Sequence, residues 1–233
     1  MNSAGLAAPV EAFADRTALA DAAAALIAGQ LEEALAARGR ASFAATGGST
    51  PEPVYRVLAR AGLAWSDVEI ALTDERWVDP ASPDSNEAMV RRALMTGPAA
   101  AARLHPLWRP DATPASAAAD AEAWLRTLLP FDVALLGMGE DGHIASLFPG
   151  NPALAEGLAG QGLCLAVPAG EPAPPQPRIS LTLSALLQTR LLLLLITGEA
   201  KRTALGRAAD GEPLPVRSVL RQERAPLRIL WAP

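Results

Sequence analysis

One of the chain's two histidines, His143, follows Asp141 by two residues in the glycine-rich stretch Gly137-Met138-Gly139-Glu140-Asp141-Gly142-His143. An apolar run, Val133 to Leu136, leads into that turn. A histidine beside a carboxylate at a strand exit suits general-base chemistry. Open α/β sheets bind their ligands at the carboxyl ends of strands. Taken alone, His143 could also be a capping or structural histidine. The glycines match G-x-G-x-x-G, but a dinucleotide site needs a long helix after the third glycine. Pro149 and Gly150 end any helix here within about two turns. The glycines are better read as permitting a tight turn that presents Asp141 and His143.

A second candidate is Thr46-Gly47-Gly48-Ser49-Thr50-Pro51. It lies between a strand and a helix, where bare backbone N–H groups, hydroxyls and a helix N-terminus form an anion cradle. It lacks the Gly-Lys-Ser/Thr ending of a Walker A loop, and an ordinary Ser/Thr-capped turn would look similar. Asp74-Glu75-Arg76 follows another strand and could floor a site or form a local surface ion pair. Asn86, after Ser85, could cap a helix or reach a ligand. Arg178 and Lys201 are late cations. Lys201 falls near a helix start, where a cation opposes the dipole and is tolerable if it faces an anion. His105, in Leu104-His105-Pro106, has no polar neighbour in sequence and reads as structural. There is no G-x-S-x-G elbow. Two histidines and one cysteine make the usual zinc sites improbable, so no metal is expected.

The elements that would position these residues alternate. Residues 11–38 carry apolar residues at helical spacing and end at Gly39. The pattern predicts strands over 42–45, 68–72, 131–136, 162–167, 191–196 and 227–231. It predicts helices over 54–61, 87–95, 115–128, 180–187 and 199–208. Residues 97–114 read as loop, and the proline-rich stretch Pro168 to Pro177 as an ordered loop or flap. Alternation without a break implies a single-domain α/β fold over residues 1–233, with a largely parallel sheet covered by helices on both faces.

At 233 residues and 50% apolar, the chain can bury a substantial core, and 4% aromatic content makes that core aliphatic. A net charge of −5 argues against nucleic-acid or membrane-surface partners. A local basic cluster could still bind one phosphate. The lone Cys164 cannot form an internal disulfide, which suits a reducing compartment. The N-terminus lacks an export signal, and Leu191 to Ile196 is too short to span a bilayer, so a cytoplasmic protein is expected.

In order along the chain stand Gly47-Gly48-Ser49-Thr50-Pro51, Asp74-Glu75-Arg76, Ser85-Asn86, Leu136-Gly137-Met138-Gly139-Glu140-Asp141-Gly142-His143-Ile144-Ala145-Ser146-Leu147-Phe148-Pro149, Arg178-Ile179-Ser180-Leu181-Thr182 and Gly198-Glu199-Ala200-Lys201. This ordered set resembles the 6-phosphogluconolactonases over nearly the whole chain. The resemblance implies the Rossmann-like fold shared with glucosamine-6-phosphate deaminase and ribose-5-phosphate isomerase. It implies hydrolysis of 6-phospho-D-glucono-1,5-lactone in the oxidative pentose phosphate pathway, with no cofactor. A small sugar-phosphate lactone would be the partner, and the protein a monomer or weak homo-oligomer. Glu140 replaces the proline, and Ile144 the threonine, of many relatives, which bears on specificity more than on reaction. The deaminase and isomerase branch resembles this chain too, but carries a further carboxylate shortly after the histidine, where Phe148 stands here. A non-catalytic sugar-phosphate sensor is disfavoured because no DNA-binding helix pair or basic segment is appended.

On that reading His143 is the general base, with Asp141 or Asp74 holding the imidazole or orienting water. The turn 137–142 supplies oxyanion donors. Gly47, Gly48, Ser49, Thr50, Arg178 and Lys201, with Arg76, hold the phosphate.

Overall fold

The computed structural model describes residues 8–170 and 174–233. Seven strands form one sheet: β1 (Val10–Ala12), β2 (Ala41–Ala45), β3 (Val68–Leu72), β5 (Arg103–His105), β6 (Val133–Leu136), β9 (Leu192–Thr197) and β10 (Leu227–Ala232). Their spatial order is β1-β10-β9-β6-β2-β3-β5, and every neighbouring pair is parallel. All residues of β2 and β6 are buried, so the sheet's centre is covered on both faces. Around it lie α1 (Arg16–Arg38), α2 (Pro51–Leu58), α3 (Asn86–Ala93), α4 (Pro114–Leu128), α5 (Leu154–Ala159), α6 (Leu183–Leu186), α7 (Glu199–Ala209) and α8 (Val216–Leu220). The core is mainly leucine, alanine, isoleucine and valine, with Phe43 edge-on to Tyr55 at 6.2 Å between ring centroids. The expected fold class therefore holds.

The departures from the sequence reading have local causes. The first helix begins at Arg16, because the Asp15 side chain accepts from the N–H groups of Thr17 and Ala18 and caps it there. Residues 11 and 12, expected as helix, instead belong to the edge strand β1, which pairs with β10. The expected loop 97–114 contains a short 3₁₀ turn and β5. The expected helix 180–187 is split: Arg178–Leu181 is β8, and Thr182 caps a single turn, α6. β8 belongs to a small second sheet of order β4-β8-β7, where β4 is Asp74–Arg76 and β7 is Cys164–Val167. That sheet is antiparallel. The expected proline-rich loop 168–177 lies partly outside the described residues.

Chain connectivity fixes where a ligand can sit. From β2 the chain moves to β3 and β5 on one side, then returns to lay β6 on the other side of β2. The connections leaving β2 and β6 diverge at their carboxyl ends, opening a crevice at this switch point.

Candidate active site

Three of the sequence-predicted segments leave that crevice's edge: Thr46–Thr50 from β2, the 137–143 turn from β6 and Gly198–Lys201 from β9. The small antiparallel sheet adds Asp74 and Arg178, which pair across β4 and β8 at Asp74↔Ser180 and Arg76↔Arg178. The resulting pocket has a volume of about 220 Å³. It is lined by Gly47, Gly48, Ser49, Thr50, Asp74, Arg76, His143, Arg178 and Lys201. Of the catalytic and phosphate-binding residues expected from sequence, Asp141 alone is not on its wall, and Asp141 touches His143.

The His143 Nδ1 lies 2.6 Å from Asp141 Oδ1, which also accepts the His143 backbone N–H at 3.1 Å. An ionised carboxylate only accepts, so Nδ1 carries the proton and Nε2 is the basic nitrogen of the neutral ring. Burial raises the proton affinity of Asp141, but the hydrogen bond and charge attraction of His143 outweigh it. The carboxyl is held below its ordinary range. The turn is closed by Gly139 N–H donating to His143 O at 3.0 Å and Gly142 N–H donating to Gly139 O at 3.0 Å. A Cβ on Gly139 would fall 2.2 Å from His143 Nδ1 and 2.4 Å from Asp141 Oδ1. Gly142 has φ +78°, and its face lies against Leu214. The glycines thus permit the turn and the close seating of the dyad.

Beneath the imidazole lies Phe148, its ring centroid 4.3 Å away, and the Arg178 guanidinium stands 5.2 Å from the same aromatic ring. An apolar ring therefore occupies the position considered for an additional carboxylate. Asp74 is buried and has no hydrogen bond to His143. Its Oδ2 accepts from Ser146 Oγ at 2.6 Å and lies 3.7 Å from Arg178 Nη1, and its Oδ1 accepts from Thr73 Oγ1 at 3.2 Å. Ser146, given no role from sequence, is fully buried, and its apolar context Ile144-Ala145-Ser146-Leu147-Phe148 gave no signal beyond proximity to the turn.

Glu75 is also fully buried and accepts from the backbone N–H groups of Arg76, Asn86 and Glu87 and from Ser85 Oγ. Burial pushes its pKa up against the pull of these donors. It ties the Asp74 strand to the start of α3. Asn86, left open between cap and ligand, lines the pocket and donates to Asp74 O at 2.8 Å, while Ser85 is the cap. A Cβ on Gly47 would sit 1.9 Å from Asn86 Oδ1, so the cradle approaches α3 only because Gly47 is bare.

The positive groups converge here despite the chain's acidity. The Nε atoms of Arg76 and Arg178 are buried without a hydrogen-bond partner among the described residues. Desolvation lowers the pKa of Arg178, partly offset by Asp74. Lys201, in the first turn of α7, has no ion-pair partner among the described residues, and burial lowers its pKa against the opposing pull of Glu140. Thr50 Oγ1 and Thr197 Oγ1, 3.2 Å apart, tie the β2 loop to the end of β9. His105 is structural, as expected, but it does have a polar partner: its Nε2 meets Glu69 Oε2 at 2.6 Å, its ring stacks on Trp124, and it does not line the pocket.

The model of the family described as glucosamine-6-phosphate isomerases/6-phosphogluconolactonase matches residues 14–231. The chain belongs to this family. A relative named 6-phosphogluconolactonase from Caulobacter vibrioides is 49% identical over 225 residues, covering 96% of this chain and 97% of that one. Another of that name from Rhizobium meliloti is 40% identical, covering 98% and 100%. The crystal structure of a 6-phosphogluconolactonase from Shewanella baltica superposes with a TM-score of 0.88 at 37% identity, covering 96% of this chain and 97% of that one. A solved monomeric glucosamine-6-phosphate deaminase, 20% identical to this chain, superposes with a TM-score of 0.78 and shares the fold. Among the described residues no helix is long and apolar enough to cross a membrane, and no cluster of three or more His, Cys, Asp or Glu side chains is placed to hold a metal ion.

Proposed function

We propose that the chain hydrolyses 6-phospho-D-glucono-1,5-lactone to 6-phospho-D-gluconate, the lactone-opening step of the oxidative pentose phosphate pathway, as a cytoplasmic single-domain enzyme. The observation that carries this is the His143–Asp141 pair on one wall of a pocket whose other walls hold the Gly47–Thr50 loop, Arg178 and Lys201. His143 Nε2 takes a proton from water as the water oxygen attacks C1. The carbonyl electrons move to oxygen. Collapse of that tetrahedral centre breaks the bond from C1 to the ring oxygen, which takes the proton back from His143 and becomes the C5 hydroxyl. The new carboxyl group then ionises.

Asp141 fits the role of orienting the imidazole, since it is the carboxylate in contact with the ring. Asp74 is directed at Ser146 and Arg178, which suits binding and orienting the lactone or the water. The N–H groups of Gly139 and Gly142 close the turn, so oxyanion stabilisation falls to the neighbouring pocket-lining Gly137 and Met138. The phosphate is held by the β2 loop, Lys201, Arg178 and Arg76. Fixing that remote group places C1 against the base and removes much of the entropic barrier. No cofactor enters the reaction.

The test is direct lactone hydrolysis, corrected for spontaneous opening, run beside ammonia release from glucosamine 6-phosphate. Hydrolysis without ammonia release supports the reading, and ammonia release without hydrolysis overturns it. The apolar Phe148 against His143 favours hydrolysis, because proton shuttling between C1 and C2 needs a further acid or base.

A further inference from the structure

A second cavity, of about 290 Å³, opens at the opposite end of the same strands. Its wall carries three arginines, Arg38, Arg40 and Arg190, drawn from the end of α1, the approach to β2 and the approach to β9. The floor is Asp132, only 3% exposed. Its Oδ1 pairs with Arg38 and, at 3.2 Å, with Arg190 Nε, and its Oδ2 accepts the Ser42 N–H at 2.9 Å. Two guanidinium groups are thereby fixed through one N–H each, leaving their other donors uncommitted to the carboxylate. Arg40 has no acidic partner among the described residues. Glu69 also borders the cavity, but its carboxylate is held by His105 at 2.6 Å.

We propose that this cavity is a second binding site, for a small phosphorylated metabolite. Arginine forks match phosphate oxygens bidentately, and orientation by a buried carboxylate limits the ordering that binding would require. Arg38, Arg40 and Arg190 outnumber the two carboxylates of the cavity wall, Asp132 and Glu69, and so leave a local positive excess in a chain of net charge −5. The volume lies at the lower edge of the usual range for small-molecule pockets, which excludes a dinucleotide. Ser42, at one end of β2, belongs to this cavity, and Thr46, just past the other end, to the catalytic pocket. Four residues of extended strand separate the two by roughly 13 Å, so a ligand here is distinct from the lactone.

Titration calorimetry with inorganic phosphate, at ionic strength held constant with chloride, tests the proposal on the full chain. Wild type is expected to show a phosphate site that weakens about tenfold in Arg40→Ala, as loss of a charge-assisted contact implies. The same site should weaken in Arg190→Lys, which keeps a cation beside Asp132 and so protects the fold, and should persist in Lys201→Ala. Turnover of the lactone should be unchanged in Arg40→Ala. The proposal is overturned if every phosphate site of wild type disappears with Lys201→Ala, or if Arg40→Ala and Arg190→Lys bind phosphate as wild type does.

Discussion

Gly139→Ala should disable the proposed base without touching it. Gly139 has no left-handed backbone requirement, so alanine is conformationally acceptable there. Its new methyl would, however, lie 2.2 Å from His143 Nδ1, whereas ordinary contact begins near 3.4 Å. The imidazole must therefore retreat by the difference, 1.2 Å, and the same methyl crowds Asp141 Oδ1 at 2.4 Å. Misplacing a reacting group by about 1 Å costs on the order of 100-fold in rate. Loss of general-base action altogether costs about 10²–10⁴-fold. The expected kcat is thus reduced at least about 100-fold, with a KM near wild type because the methyl meets His143 and Asp141 and not the phosphate cradle. The assay is lactone consumption corrected for the spontaneous rate, with circular dichroism as the check on folding. A double-mutant cycle sharpens it: if Gly139→Ala acts through the imidazole, adding it to His143→Ala should cost nothing further. Additive losses, or a Gly139→Ala enzyme with full kcat, would refute the reasoning.

Lys201→Ala should weaken both the lactone and the product 6-phosphogluconate, each by roughly ten- to a hundredfold, as loss of a charge-assisted contact predicts. Unaltered product affinity in a direct binding measurement would make Lys201 a bystander. Ser146→Ala removes the donor from buried Asp74 and should lower the unfolding free energy by about 1–3 kcal/mol, read as an earlier urea midpoint. An unshifted midpoint would show that the 2.6 Å contact is not holding Asp74. Asp141 should stay ionised on mild acidification because its folded pKa lies below the ordinary value. A depressed carboxylate contributes its stability fully above the unfolded pKa and loses it as pH falls through the folded one. The stability gap between wild type and Asp141→Asn should therefore persist through neutral and mildly acidic pH and close only below the ordinary carboxylate range. A gap that closes near neutrality contradicts this.

The parallel sheet was legible because its central strands are continuous apolar runs between turn signals, as at Val133–Leu136 and Leu192–Ile196. The small antiparallel sheet was not, because β4 is Asp74-Glu75-Arg76, three charged residues with no apolar pattern. Its pairing is a tertiary event, made possible because Glu75 finds four donors inside the fold. The same blindness hid the different contacts of Asp74 and Asp141. Both precede glycine-rich or polar loops in sequence, and only the fold turns Asp141 to His143 and Asp74 to Ser146. His105 misled in the opposite direction: Glu69, thirty-six residues away in the chain, is its neighbour across two parallel strands.

The order of strands explains why three loops distant in sequence line one pocket. β6, which bears the His143 turn, lies between β2, which bears the glycine cradle, and β9, which leads to Lys201. Adjacent strands are about 4.8 Å apart, so the cradle and lysine flank the proposed base within the length of a sugar phosphate. The Thr50–Thr197 contact draws the two flanks together on one side of the base. The small sheet, carrying Arg178 and Asp74, approaches through Phe148. A single aromatic ring thus sets the height of both imidazole and guanidinium. Replacing Phe148 with a smaller residue should disturb kcat and phosphate-dependent KM together, whereas Lys201→Ala should disturb only binding. If Phe148→Ala raised KM and left kcat intact, the shared-platform argument would fail and Arg178 alone would depend on the ring.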